Sequence, residues 1–257
     1  MKSYNNYLKP VGLAVIPVII SMLFIACATA RAELKEVQMS SDYVQNKIDM
    51  RGKKITTYIL YYAVAELKKM NEGEILGIVT DNYKHIENDI TVWSNNTGHL
   101  LDKIEHQDKY DLYYIKKGKE KSVKSRFALS ISFDGLEDLI SPLALALASA
   151  LEGNDVHIIF QGPAVRVLQK GYKGNLSGIS RLFSGIARSQ MAEMGHIPPQ
   201  DKVRQLKELG AHFYVCPVSM EVFKVKESEL IFKDVTFATY STFLDVMNKS
   251  DLAFFMQ

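Results

Sequence analysis

Cysteine is nearly missing from this chain: the 257 residues hold only Cys27 and Cys216. Two such residues, one inside a long apolar run, do not make a disulfide framework. The six histidines, His85, His99, His106, His157, His196 and His212, stand in no HExxH or CxxC arrangement. Their spacing therefore points to no metal and no cofactor. Phosphate-cradling patterns are also missing. Gly171, Gly174 and Gly178 do not give GxGxxG, and no GxxxxGK[ST] occurs, which leaves a nucleotide or dinucleotide enzyme with little support. Nor is there a sustained basic stripe. KKGKEKSVKSR and RGKK are short, and setting aside Lys2 and Lys9 brings the 31 basic residues down to the 29 acidic ones. No nucleic-acid partner is expected.

What the chain has in quantity is apolar surface, at 47% of residues, enough for a substantial core and for two of modest size. The most concentrated part is VGLAVIPVIISMLFIACATA, residues 11–30, which carries no charge. As a helix it would rise about 30 Å, the thickness of a bilayer core. A basic MKSYNNYLK precedes it and Ala28-Thr29-Ala30 offers small residues at a cleavage-like spacing. Three readings of 1–30 follow: a signal peptide cut after Ala30, an uncut transmembrane anchor, or a lipoprotein leader lipidated on Cys27. Each implies a membrane-anchored or exported chain, periplasmic or at the cell surface. Flanking charge does not decide the orientation.

Residues 31–47 read as a polar spacer. A first compact unit is expected over 48–117, in β-α-β-α-β order: IDMRGKKI, a periodic helix through Ile59, Tyr62, Ala63, Leu67 and Met70, and the strand EILGIVT. A short helix near 83–88, another through Leu100–Ile104, and the strand YDLYYIKK complete it. The charged, apolar-poor stretch 118–125 is a linker in composition. Over 126–257, FALSISF, VHIIF, HFYV and LAFFM alternate with helices, one of them opened by Ser141-Pro142. That is the pattern of a doubly wound parallel sheet. Residues 171–200 are a long insertion with five glycines and two prolines, a length that marks functional or mobile connections. Its core, LSGISRLFSGIARSQMAEM, has helical spacing suited to packing on a partner.

Cys216 follows an apolar strand and precedes Pro217. The carboxyl edge of a parallel sheet is where open α/β folds place ligands. Pro217 favours a helix start, Ser219 is placed to cap the turn through Glu221 and Val222, and a helix start favours a thiolate. Lys224 and Lys226 add positive charge nearby. The bland alternative is a buried small hydrophobe, the common state of a free cysteine. With Cys27 in the leader, no second thiol exists for an internal disulfide. A reactive Cys216 would have to pass sulfur to another protein or a small thiol.

The stretch ELGAHFYVCPVSMEVFKVKESELI, 208–231, resembles the cysteine segment of DsrE/DsrF-like sulfur-relay domains, and TFATYSTFLD resembles the tract that follows it. The resemblance covers about 126–257. It implies a persulfide carrier or sulfurtransferase with Cys216 as the catalytic thiol, a sulfur donor and a sulfur acceptor as partners, and assembly into trimers or hexamers. Residues 48–117 resemble the TusA-like (SirA-like) fold. Asp49, Arg51 and Gly52 match its opening tetrad, while Ile55 stands where that family has its cysteine and Thr56 and Tyr58 replace the prolines. The resemblance thus implies a degenerate domain without its carrier thiol. The expected fold class is α/β: a small two-layer unit, then a doubly wound DsrE-like domain, behind a hydrophobic N-terminal helix. A non-catalytic membrane-tethered scaffold or assembly subunit is the competing function.

Overall fold

The computed structural model describes residue 39 and residues 43–120 and 124–256. Two sheets share one continuous core through a helical layer between them.

The first sheet has the order β1 (Asn46–Asp49), β2 (Ile75–Thr80), β4 (Asp111–Lys116), β3 (Leu100–His106). β1 runs parallel to β2, and β4 is antiparallel to both its neighbours. Every residue of β2 is buried, as a central strand covered on both faces requires. Helices α1 (Thr56–Leu67) and α2 (Lys84–Thr97) cover the sheet; Ile59, Ala63, Ile86 and Ile90 are fully buried in the shared core with Ile78 and Tyr113. Gly98 ends α2 in the left-handed region at φ 86°, a conformation that costs other residues a Cβ clash.

Two elements differ from the sequence expectation. The helix expected near 83–88 extends to Thr97, and the helix expected at Leu100–Ile104 is strand β3. The pairing of β3 with β4 shifts register between Leu101 and Lys103. That bulge brings Leu101 and Ile104 opposite Ile115 and Tyr113, on one face of the sheet. The resulting spacing of three imitates a helical period.

The second sheet has the order β8 (Thr236–Phe237), β7 (His212–Val215), β6 (Asp155–Phe160), β5 (Arg126–Ile131), β9 (Leu252–Met256), all parallel. One face packs Phe127, Leu129, Phe160 and Phe213 against α3 (Leu136–Leu151) and an amphipathic helix over Pro199–Glu208. Ala128 and Ile159, on the opposite face, meet Phe243 of the helix Tyr240–Asn248. Helices therefore lie on both faces, as a doubly wound sheet requires. Pro142 does not open a helix as expected: α3 starts at Leu136, six residues earlier, and carries the proline inside. Its ring has φ near the helical value already, and the missing donor costs one bond. The two layers are tied by Trp93, whose indole N–H donates to the Leu151 carbonyl at 3.0 Å, and by the Tyr61 hydroxyl donating to Glu208.

The insertion 171–200 folds as a 3-10 segment Gly178–Phe183 followed by helix α4 (Ser184–Glu193). It leaves Ile179, Leu182, Phe183 and Ile186 exposed. The Pro199–Glu208 helix, α5, buries Lys202 at 5% exposure. Its ammonium finds the Ile140 carbonyl only at 3.4 Å, and burial pulls its pKa down from the ordinary lysine value. A charged group with one long acceptor is a net cost. Lys202→Met is therefore expected to raise stability by on the order of 1 kcal/mol at neutral pH, read as a higher urea midpoint. Because the folded pKa lies below the unfolded value of 10.5, the native lysine's penalty is full at neutral pH. It fades as pH rises toward 10.5, and the variant's advantage should shrink with it.

The expectation of a membrane-anchored or exported chain is corrected: among the described residues, no helix is long and apolar enough to cross a membrane. Residues 11–30, the Ala28–Ala30 cleavage pattern and Cys27 lie outside the described residues.

Candidate functional site

β7 is pure side-by-side pairing: Phe213 and Val215 are buried against the helical face, and Phe160 pairs with Val215 at the carboxyl edge. There the chain leaves the sheet through Cys216, which has extended backbone, and enters the six-residue helix α6 (Pro217–Val222). Pro217 occupies the first helical position, where a missing donor costs nothing. The Cys216 N–H donates to the Phe160 carbonyl at 3.1 Å, and its own carbonyl accepts the Met220 N–H at 3.0 Å. The residue is thus fixed from both sides at a strand-to-helix junction, where expected. Cys216 is unpaired, and it is buried at 6% exposure. The first-turn amides of Val218 and Ser219 have no partner within the helix by its geometry.

Ser219 does something other than the capping expected of it. No side chain caps α6; instead the Ser219 hydroxyl oxygen accepts the Gly162 N–H at 2.8 Å. This links the turn after β6 to the cysteine-bearing helix. Gly162 has φ 53°, and a Cβ there would stand 3.1 Å from the Ser132 carbonyl oxygen. Beside it, Gln161 is 2% exposed and donates to the hydroxyls of Ser130 at 2.7 Å and Ser132 at 3.2 Å. Sequence reasoning missed this hydroxyl–amide layer under the edge; the Gly162-Pro163 pair was its one visible sign. Gly162→Ala is expected to cost about 1–2 kcal/mol from the left-handed backbone alone. A lowered thermal midpoint checks this, together with faster alkylation of Cys216 as the Ser219 contact loosens.

Two cavities open near this edge. One, of about 710 Å³, is polar and includes Asp134, Arg166, Tyr172, Lys173 and Arg181 in its lining. Its Arg166 also lies over the Phe223 ring at 4.9 Å, next to the end of α6. Burial, with the nearby Asp134 carboxylate, pushes the Tyr172 phenol well above its usual pKa. The other, of about 330 Å³, is apolar and lies under the Tyr240–Asn248 helix, α7, against Ser130, Ile159 and Phe255. Cys216 lines neither. Lys224 and Lys226 are exposed.

In the first layer, Asp49 accepts the Arg51 backbone N–H at 3.1 Å and forms an ion pair with its guanidinium. Those bonds hold the Asp49 carboxyl below the usual carboxylate range. Gly52 donates to Asp81 at 2.7 Å. Ile55 stands at the N-terminus of α1. The end of the insertion closes over it, since a Cβ on Gly195 would stand 3.8 Å from Ile55 Cγ1.

The sheet order, the cysteine at the carboxyl edge and the helices on both faces can be set beside known families. The DsrE/DsrF-like family model matches residues 127–255. The chain belongs to the DsrE/DsrF-like family. The match spans β5 to β9 and so includes Cys216, Ser219 and the whole insertion of this DsrE/DsrF-like chain. Membership supports a general role in sulfur relay. No curated protein matches the chain.

Proposed function

We propose that this chain relays sulfur as a persulfide on Cys216. The observation that carries the reading is the fixed position of that thiol at the carboxyl end of β7, inside the family-matched region. The Cys216 thiolate attacks the outer sulfur of a persulfide or polysulfide donor. A sulfur–sulfur bond forms to Cys216 as the donor's own sulfur–sulfur bond breaks, and the donor leaves as a thiolate. An acceptor thiolate then attacks the outer sulfur, and Cys216 departs as thiolate. Neither step needs an oxidant. Ser219 acts as a positioning residue through Gly162. With the sulfur nearly covered, side chains at the edge must part for donor entry, so reaction is gated by a local opening.

Within the same reading, residues 48–117 form a TusA-like adaptor that has lost its thiol. What supports this is the Asp49–Arg51–Gly52 turn before a helix whose start carries Ile55. A carbon side chain holds no persulfide, so docking is the role left to it. The expected homo-oligomer belongs here too, supported by Tyr240, Leu244 and Phe255, which leave an apolar strip of the second sheet's α7 side exposed.

The burial of Cys216 favours a second reading, a non-catalytic assembly subunit in which the thiol is only packed. Timed alkylation of the native protein near neutral pH, followed by exposure to polysulfide and intact-mass measurement, separates the two. Modification of Cys216 in the folded state and one sulfur added there, read in a chain carrying Cys27→Ser, support relay. Modification only after unfolding supports the assembly subunit.

A further inference from the structure

At the opposite, amino edge of the second sheet, β6 begins Asp155-Val156-His157 and β7 begins with His212. Residues two apart on a strand share a face, so Asp155 and His157 point the same way. His157 and His212 are direct partners in the parallel pairing. The imidazoles stack with ring centres 4.7 Å apart and planes 19° apart, which brings their outer nitrogens to the same carboxylate. His157 Nε2 lies 2.9 Å from Asp155 Oδ2, and His212 Nε2 lies 3.3 Å from Asp155 Oδ1. The three donor atoms stand within 4.8 Å of one another.

From this juxtaposition we propose that Asp155, His157 and His212 bind a divalent transition-metal ion of the Zn²⁺ class. Three features go beyond proximity. First, His157 Nε2 is buried, and its 2.9 Å contact with Asp155 Oδ2 is an ion-pair approach without the alignment of a full N–H hydrogen bond. A buried ring nitrogen so poorly aligned with its one close carboxylate, on a side chain with 7% exposure, is costly unless a better partner is supplied. Second, the other nitrogen is already engaged, since Nδ1 meets the Tyr214 hydroxyl at 3.0 Å. In the tautomer whose Nδ1–H donates to that hydroxyl, Nε2 keeps its lone pair for a cation, the arrangement that outer-shell partners impose on metal-binding histidines. Third, Arg126 holds Asp155 Oδ2 through its Nε at 3.0 Å, fixing the carboxylate while leaving Oδ1 turned toward His212.

Two imidazoles and one carboxylate suit borderline cations and leave a coordination position for water. His212 is exposed, so that position faces solvent. The Arg126 cation works against a second positive charge, which places the affinity below that of a closed structural site. His212 and Cys216 are four residues apart on one extended segment, about 13 Å. The ion would therefore clamp β6 to β7 at the end away from the thiol and take no part in its chemistry. The site stands or falls independently of sulfur relay.

The test uses the untagged full-length protein, stripped with chelator and titrated with Zn²⁺ by calorimetry and by metal analysis after dialysis. One equivalent per chain is expected, with a higher thermal midpoint on loading. His212→Ala and Asp155→Asn, both at accessible positions, should each weaken binding at least 10-fold while circular dichroism stays native. Cys216→Ser should bind as the parent does, and Tyr214→Phe should lose about 10–100-fold. Failure of the parent to bind Zn²⁺, or unchanged binding in His212→Ala, would overturn the site and leave the cluster an ion-pair network around Asp155.

Discussion

In a chain carrying Cys27→Ser, Cys216→Ser is expected to lose all sulfur loading, leaving no detectable mass gain after polysulfide treatment under conditions where the parent takes one sulfur. A hydroxyl at this position is neither ionised at neutral pH nor able to hold an outer sulfur. The size of this effect is separable from unfolding. Serine is close to cysteine in volume, and the backbone bonds of residue 216 to Phe160 and Met220 are made by atoms the substitution leaves alone. The cost is that of burying one hydroxyl, about 1–3 kcal/mol if it finds no partner. Cys216→Ala, which buries no polar atom, supplies the control: both variants should melt cooperatively and both should fail to load. Loading retained in either variant would remove the carrier reading.

The largest stability effect is expected at Trp93, the only tryptophan of the chain. It belongs to the first layer, is 2% exposed, and donates its indole N–H to Leu151 at the end of α3. Truncation to alanine leaves a cavity in the shared core and an unmet carbonyl beyond it. Trp93→Ala should cost about 3–5 kcal/mol, measured from urea unfolding followed by circular dichroism. Because the lost contact lies between the layers, the transition should also broaden as the layers begin to melt separately. A cost below about 1 kcal/mol would mean that the layers do not depend on each other through this side chain.

The elements most legible in the sequence were those whose burial is one-dimensional. HFYV is β7 residue for residue, and EILGIVT contains β2, because a strand enclosed on both faces needs little besides apolar character. Leu100–Ile104 reads as a helix, although it lies in strand β3, because a bulge sets Leu101 and Ile104 three residues apart on one face. The start of α3 was misplaced because proline marks a helix start so often that its presence six residues inside overruled the apolar Leu136 and Leu139. For the candidate site, the position of Cys216 was legible from its neighbours in the chain. Its degree of cover was not, and neither was the partner of Ser219, since Gly162 is distant in sequence. The meeting of Asp155 with His212 depends on which strand lies beside which, and no linear spacing records that.

Strand β5 needs β6 on one side and β9 on the other. The first arrives after a single helix, while the second is made more than a hundred residues later. During synthesis, the middle of the second sheet must therefore wait with one row of backbone donors and acceptors unclaimed until Leu252–Met256 leaves the ribosome. Long-range parallel pairing of this kind is slow to form and exposes an aggregation-prone edge meanwhile. Chains stalled or clipped between Asn248 and Leu252 should accordingly be the species that chaperones retain, while β1 to β4 can already have assembled ahead of them.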